Sequence, residues 1–240
     1  ILYVGHDVSM MRTFCDRAMW INKGRLVDMG DPTFISAKYT EFMYLDDITE
    51  FTDYKRLSKD EDGEDPLSEA KEKCEKEIQE PQKQDRKAEY SLFPDSIAHW
   101  GSRTGLVKSA VVCDGTGKEQ KAFSADDVMR IDVRLNIDED MNVPKFSVAV
   151  SIKNTEGIDI IVKTTYDEHI KLKAGKEQTI SFEFQPRLAN GDYYLVVALE
   201  DRENTTIAYY EYIEGADYFK AYSDKKIFGI YDVPAIISCQ

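Results

Sequence analysis

VMRIDVRLNI, residues 128–137, alternates strictly: Met129, Ile131, Val133, Leu135 and Ile137 fall on one side, and Arg130, Asp132 and Arg134 on the other. A period of two is the signature of a strand with one buried face. The runs around it read the same way. Leu106–Cys113 is apolar and ends at the turn Asp114-Gly115-Thr116-Gly117. Phe146–Lys153 places Phe146, Val148, Val150 and Ile152 inward and closes at Asn154-Thr155-Glu156-Gly157. Ile158–Val162 follows, then the Ala174-Gly175-Lys176 turn and Thr179–Phe184. Tyr193–Glu200 and Ile207–Ile213 come next, and Ile227–Val233 is the last expected strand. About eight or nine short strands with frequent turns predict an antiparallel, Ig-like β-sandwich over residues 89–240.

Upstream the composition changes. Residues 46–88 are rich in Asp, Glu and Lys and nearly free of aromatic and β-branched residues from Lys55 onward. Such a segment cannot bury enough apolar surface to form a core and is expected to be a charged linker, with a polar helix over Ser68–Glu80 stopped by Pro81 as one option. Residues 1–45 form a third composition. Ile1–Val4 has an apolar strand pattern, Gly5 turns, and His6-Asp7 stands at the strand's end. A helical run reaches Phe14. The strands Ala18–Asn22 and Arg25–Met29 meet at Lys23-Gly24, and a helix runs from Thr33 to Leu45 behind Asp31-Pro32.

The chain has 240 residues, 42% hydrophobic and 32% charged, with a formal net charge of −14. Composition of this kind suits a globular protein. The negative balance opposes a nucleic-acid groove, which needs clustered Lys and Arg. Four cysteines, Cys15, Cys74, Cys113 and Cys239, show no metal-ligand spacing and are expected to be reduced thiols in the cytosol. None of the histidines, His6, His99 and His169, lies in a nucleophile or metal motif, so no metal site and no catalysis by the sandwich are expected.

Two stretches resemble known families. The order strand–His6–Asp7–helix–Cys15-Asp16-Arg17–strand–Lys23-Gly24–strand–Gly30-Asp31-Pro32 resembles the closing segment of an ABC-transporter ATPase. There His6 would be the switch histidine that contacts the γ-phosphate of ATP, and Asp7 would help pair two ATPase subunits. Gly5 stands where that family usually has Ser or Thr. The phosphate loop G-x-x-x-x-G-K-[ST] and the signature loop do not occur in the chain. The chain is therefore expected to bind no cofactor and to hydrolyse no ATP, with ATP and Mg²⁺ belonging to the intact ATPase.

The sandwich motifs, Asp114-Gly115-Thr116-Gly117, the run through Asn154-Thr155-Glu156-Gly157 and L-x-x-G-x-Y at 188–193, resemble the C-terminal domain of Wzt-type ATPases. These are the nucleotide-binding subunits of ABC exporters for O-antigen and related polysaccharides, and thus belong to lipopolysaccharide biosynthesis. The resemblance implies a polysaccharide ligand, possession of a transmembrane channel subunit as partner, a cytoplasmic location peripheral to the inner membrane, and a homodimer. Exchange of the apolar segment Ile227–Cys239 is one way to build that dimer.

Sugars stack on aromatic rings while polar groups read their hydroxyls. The chain carries 14 tyrosines. A hairpin closing around Asp201–Thr205 would set Ala198 near Ala208, Val196 near Tyr210 and Tyr194 near Tyr212. Tyr193, Leu195, Val197 and Leu199 would then face the core. Tyr194, Tyr210 and Tyr212 would wall a wet alanine floor that Ser147, Ala149 and Ser151 extend. Trp100 is the other candidate sugar platform, or else a core plug, and Trp20 is expected to pack. The run Tyr209, Tyr210, Tyr212, Tyr218, Phe219 and Tyr222 is too aromatic for one core, so part of it should serve an interface. The alternative is a dimerisation or protein-docking domain with no sugar site, in which this tyrosine face is covered by another strand or a second subunit.

Overall fold

In a computed structural model, residues 2–45, 93, 95–141, 146–202 and 207–238 are described. The chain divides into two units, Ile1–Pro94 and Asp95–Gln240. The segment expected to be a charged linker lies outside the described residues.

The first unit is built on helix caps and one aromatic cluster. Asp7 caps helix α1 (Val8–Phe14) by accepting from the Met10 amide at 3.0 Å. Strands β1 (Ala18–Asn22) and β2 (Arg25–Gly30) form the expected hairpin. Lys23 and Gly24 both have positive φ, 49° and 77°, as a tight turn between right-twisted strands requires. Asp31 then caps α2 (Pro32–Leu45) through the amides of Thr33 and Phe34. Trp20 packs as expected, between Tyr39 and Phe42 and beside Ala18 and Ile35, so the apolar side of α2 is covered by the hairpin. Residues 2–4, expected to be a buried strand, are not: Leu2 and Val4 are exposed and pair with no described strand.

The second unit is the expected antiparallel β-sandwich. Its strands are β3 (Ala98–Trp100), β4 (Val107–Asp114), β5 (Ala122–Ser124), β6 (Met129–Asn136) and β7 (Phe146–Asn154). They are followed by β8 (Asp159–Thr164), β9 (Glu177–Phe184), β10 (Gly191–Asp201) and β11 (Ala208–Tyr222). One sheet runs β3-β11-β10-β7-β8, with the short β5 parallel to the end of β11; the other runs β4-β6-β9. The alternation of residues 129–137 is realised in full, with Met129, Ile131, Val133, Leu135 and Ile137 all without exposure. They share the core with Val148, Val150 and Ile152 of β7 and Leu195, Val197 and Leu199 of β10. Each such side chain contributes about 1.5–3 kcal/mol on burial.

One charged side chain sits among them. Glu211 pairs with Leu199 on the inward side of β11 and has no exposed surface. Its carboxylate accepts from His99 Nε2 and from the Gly105 and Val107 amides, each at 2.7 Å. Three donors satisfy a buried carboxylate. They also tie β11 to β3 beside it and to the start of β4 in the other sheet. The chain between β3 and β4 passes directly over β11. Gly101 has φ +150°, and a Cβ there would meet the Tyr210 carbonyl oxygen at 2.1 Å. The amides of Ser102 and Arg103 donate to the Tyr209 and Tyr210 carbonyls.

Two expectations are corrected. Residues 227–233 are not a strand. Tyr231 makes one bridge to Leu188, flanked by the bonds Ala189 N to Ile230 O and Asp232 N to Arg187 O, and pairing stops there. Pro234 lacks the amide needed to continue it. Phe228, Ile236 and Ile237 are left 90%, 101% and 93% exposed. The β10–β11 register also differs. Tyr194 faces Tyr218, Val196 faces Glu214 and Ala198 faces Tyr212. The ladder starts at Asp201–Ala208, three residues out of the expected register, and the bulges at Leu199/Glu200 and Leu195/Val196 add one and two more, so the partner of Ala198 is displaced by four residues and that of Tyr194 by six.

Replacing Glu211 with Ala strands the buried Val107 amide and the half-buried Gly105 amide and is expected to lower stability by about 3 kcal/mol or more. Glu211→Gln, which keeps one acceptor oxygen, should lose less. Chemical denaturation followed by tryptophan fluorescence measures both.

Candidate functional site

The outward face of the six-stranded sheet collects most of the residues singled out above. Strand β10 contributes Tyr194, Val196, Ala198 and Glu200, and β7 contributes Ser147, Ala149, Ser151 and Lys153 opposite them. Trp100 of β3 pairs with Tyr212 of β11, and their rings stack with centroids 4.8 Å apart and planes at 25°. Tyr209 meets both rings edge-on, at 5.6 Å from Trp100 and 5.5 Å from Tyr212. Trp100 is 3% exposed, whereas Tyr209 and Tyr212 are partly exposed. The indole is thus a buried backing plate, and the two tyrosines in contact with it keep part of their surface exposed.

Polar groups lie beside the rings. The Tyr194 hydroxyl donates to Glu214 Oε1 at 2.9 Å. Lys153 Nζ stands 3.6 Å from Glu214 Oε1, 3.8 Å from Asp159 Oδ2 and 3.4 Å from the Tyr212 hydroxyl. Ser151 Oγ donates to Asp159 Oδ1. Tyr218, 42% exposed, tilts against Tyr194 and donates its hydroxyl to the Asp95 carbonyl. The partners of Tyr212 and Tyr218 on β10, Ala198 and Tyr194, are four residues apart, so at a strand rise of about 3.3 Å per residue the two tyrosines stand roughly 13 Å apart.

Of the candidates, Trp100 and Tyr212 come into contact, and Tyr194 joins them through Glu214 and Lys153. Tyr210 does not join. The bulge at Leu199/Glu200 turns it toward Phe146, at 4.4 Å, and its hydroxyl donates to Asp201 Oδ2. The floor of Ala149, Val196 and Ala198, expected to be wet, is buried. Reachable surface lies at the rims, on Tyr209, Tyr212, Tyr218, Asp159 and Val162, and Tyr210 is likewise half-buried rather than enclosed. At the far end Glu200 is buried and holds Arg202 at 2.7 Å. Burial pushes its carboxyl above the ordinary range, and the adjacent Arg202 pulls in the opposite direction. Arg202 in turn lies over the Tyr166 ring. Lys153, Asp159 and Glu214 are functional candidates that sequence reasoning missed. The signals were there: a lysine ending an otherwise apolar and small-residue strand, and a glutamate inside an aromatic run.

His6 is in the first unit, exposed, immediately before α1. Among the described residues no group of three or more His, Cys, Asp or Glu is placed to hold a metal ion. Among them also no helix is long and apolar enough to cross a membrane.

The family described as the Wzt C-terminal domain matches residues 97–233, the stretch that contains this face. The chain belongs to the Wzt C-terminal domain family. A crystal structure of the C-terminal domain of Wzt superposes with a TM-score of 0.53 at 12% identity, over 61% of this chain and 90% of that one. Likeness at that identity establishes the shared fold. The teichoic acids export ATP-binding protein TagH of Listeria innocua is 33% identical over 43 residues, which are 18% of this chain and 13% of that protein. The chain therefore matches only a small part of that relative's length. Within the Wzt C-terminal domain family, then, this chain presents a tyrosine pair on an indole plate beside a Lys–carboxylate cluster.

Proposed function

We propose that the β-sandwich is the carbohydrate-binding module of a polysaccharide ABC exporter. It would recognise the lipid-linked glycan, at its modified end, on the cytoplasmic side and couple it to ATP-driven export. The observation that carries this reading is the Tyr209–Tyr212 pair on Trp100. Partly exposed rings of fixed orientation, next to groups that can donate and accept hydrogen bonds, are the chemistry a pyranose ring calls for. Membership of the Wzt C-terminal domain family supports it. The exporter would be of the O-antigen or lipopolysaccharide class, and a transmembrane channel subunit would hold the protein at the inner membrane. The hairpin and helix of the first unit support reading it as the end of an ABC ATPase domain. In the intact ATPase His6 would then be the switch histidine, acting on ATP and Mg²⁺ bound by parts outside this chain.

A homodimer is the second part of the proposal. Phe228, Val233, Ile236 and Ile237 are apolar and exposed, and apolar surface of that kind favours a partner. Exchange of residues 227–238 between two copies would cover it, and it is compatible with sugar binding. Light scattering is expected to give a dimer for the chain and a monomer for the Ile236→Asp/Ile237→Asp variant. A dimer unchanged by that variant rules out the exchange.

For the glycan itself, isothermal titration with the polysaccharide of the producing cell is the direct test. Tyr212→Ala should weaken binding about tenfold, the loss of one ring–ring contact and its buried area. Tyr210→Ala should leave affinity unchanged, because that ring faces Phe146. Equal loss in both variants, or no binding by the unaltered chain, argues instead for a docking or dimerisation domain without a sugar site.

A further inference from the structure

Lys153 is 9% exposed, and among the described residues its hydrogen bond to the Tyr212 hydroxyl and its two ion pairs are all long. The Tyr212 hydroxyl is at 3.4 Å, Glu214 Oε1 at 3.6 Å and Asp159 Oδ2 at 3.8 Å. Ordinary N–H···O bonds span about 2.7–3.2 Å, and an ammonium has three protons to give. A buried charge with slack donors is costly unless another acceptor completes its shell. The surroundings that fix it are themselves well bonded. Glu214 is held from below by the Tyr194 hydroxyl, and Asp159 is oriented by Ser151 Oγ. Asp159 remains reachable, with its side chain 50% exposed, while that of Glu214 is 4% exposed.

Granting the carbohydrate reading above, we propose that Lys153 and Asp159 read a vicinal diol on an uncharged sugar whose ring lies on Tyr212, with Glu214 and Tyr194 as positioning residues. Two adjacent hydroxyls present an acceptor oxygen and a donor proton side by side. One hydroxyl oxygen accepts from the slack Lys153 ammonium, and the neighbouring hydroxyl donates to Asp159 Oδ2. An anionic group does not fit. The ammonium already faces two carboxylates, so the cluster carries net negative charge, and a phosphate or uronate would meet repulsion there. Among the described residues, Arg202 and Lys220 of this face are likewise engaged, by Glu200 and by Asp192. The net charge of −14 repels a polyanion at longer range. The glycan class is therefore a neutral polysaccharide with free vicinal hydroxyls, in contrast to polyol-phosphate chains.

The test uses the 240-residue chain and four probes in affinity electrophoresis and calorimetry: a linear mannan, a linear galactan, polyribitol phosphate and polygalacturonate. Each neutral probe is also tried after mild periodate oxidation, which cleaves vicinal diols. Expected results are binding of a neutral probe with little salt dependence, its loss after periodate, and a drop of about tenfold or more in Lys153→Met and in Asp159→Asn. Asp159 is half-exposed, so that second variant keeps the test independent of folding. Preference for a polyanion, with affinity falling steeply in salt, overturns the inference. So does binding that needs Tyr212 but is indifferent to Asp159→Asn and to periodate, an outcome that leaves the carbohydrate reading standing. Failure of every probe overturns the inference, and failure of the producing cell's polysaccharide as well overturns the carbohydrate reading.

Discussion

A single buried carboxylate fixes the geometry of the sandwich. Glu211 is fully enclosed and accepts three short hydrogen bonds, from a side chain of β3 and from two amides at the entry to β4. A buried carboxylate without donors would be strongly unfavourable, so the three donors must be where they are. That requirement holds β3 against β11 and starts the second sheet at a fixed place. It also sets which residue of β3 faces which of β11: His99 points inward to Glu211, so its neighbour Trp100 points outward and meets Tyr212. Core electrostatics and the aromatic plate on the opposite face are two consequences of one register. The crossing at Gly101, where only a residue without a Cβ clears the Tyr210 carbonyl, is the local condition for it.

The two faces of the central strands divide the labour. On β10, Leu195, Val197 and Leu199 are the core, while Tyr194, Val196, Ala198 and Glu200 look the other way; all are buried. A central strand enclosed on both sides makes a stiff platform, and rigid support keeps a recognition surface ordered before it binds. The reachable groups stand at its rims, on β11 and β8, where the rings of Tyr209 and Tyr212 and the carboxylate of Asp159 meet solvent.

Fold class was legible because patterning dominates it. The alternation in β6, β7 and β9 and the Gly- and Asn-rich turns between them point to one answer, and the inward set of β10 followed from the same rule. The site was legible only in part. Tyr194, Tyr212 and Trp100 were chosen for their chemistry and do share a face. The misplaced residue was Tyr210, and the cause was a ladder that starts at Asp201–Ala208 followed by the bulge at Leu199/Glu200, which no periodicity reveals because a bulge inserts a residue without altering composition. The pairing of Trp100 with Tyr212 joins residues far apart in the chain and depends on Glu211, whose burial contradicts the usual fate of glutamate. Lys153 was overlooked for a similar reason: at the end of an apolar strand a lysine reads as the residue that returns the chain to solvent.

The central claim is that ligand meets the Tyr212 side of the six-stranded sheet. The most direct measurement is NMR of the chain carrying ¹³C-labelled tyrosine rings, during titration with the polysaccharide of the producing cell. The account predicts shifts at Tyr209, Tyr212 and Tyr194 while Tyr193, on the inward face, and Tyr231, beside Leu188, stay unmoved. Shifts at Tyr193 or Tyr231 with Tyr209 and Tyr212 unaffected would contradict it.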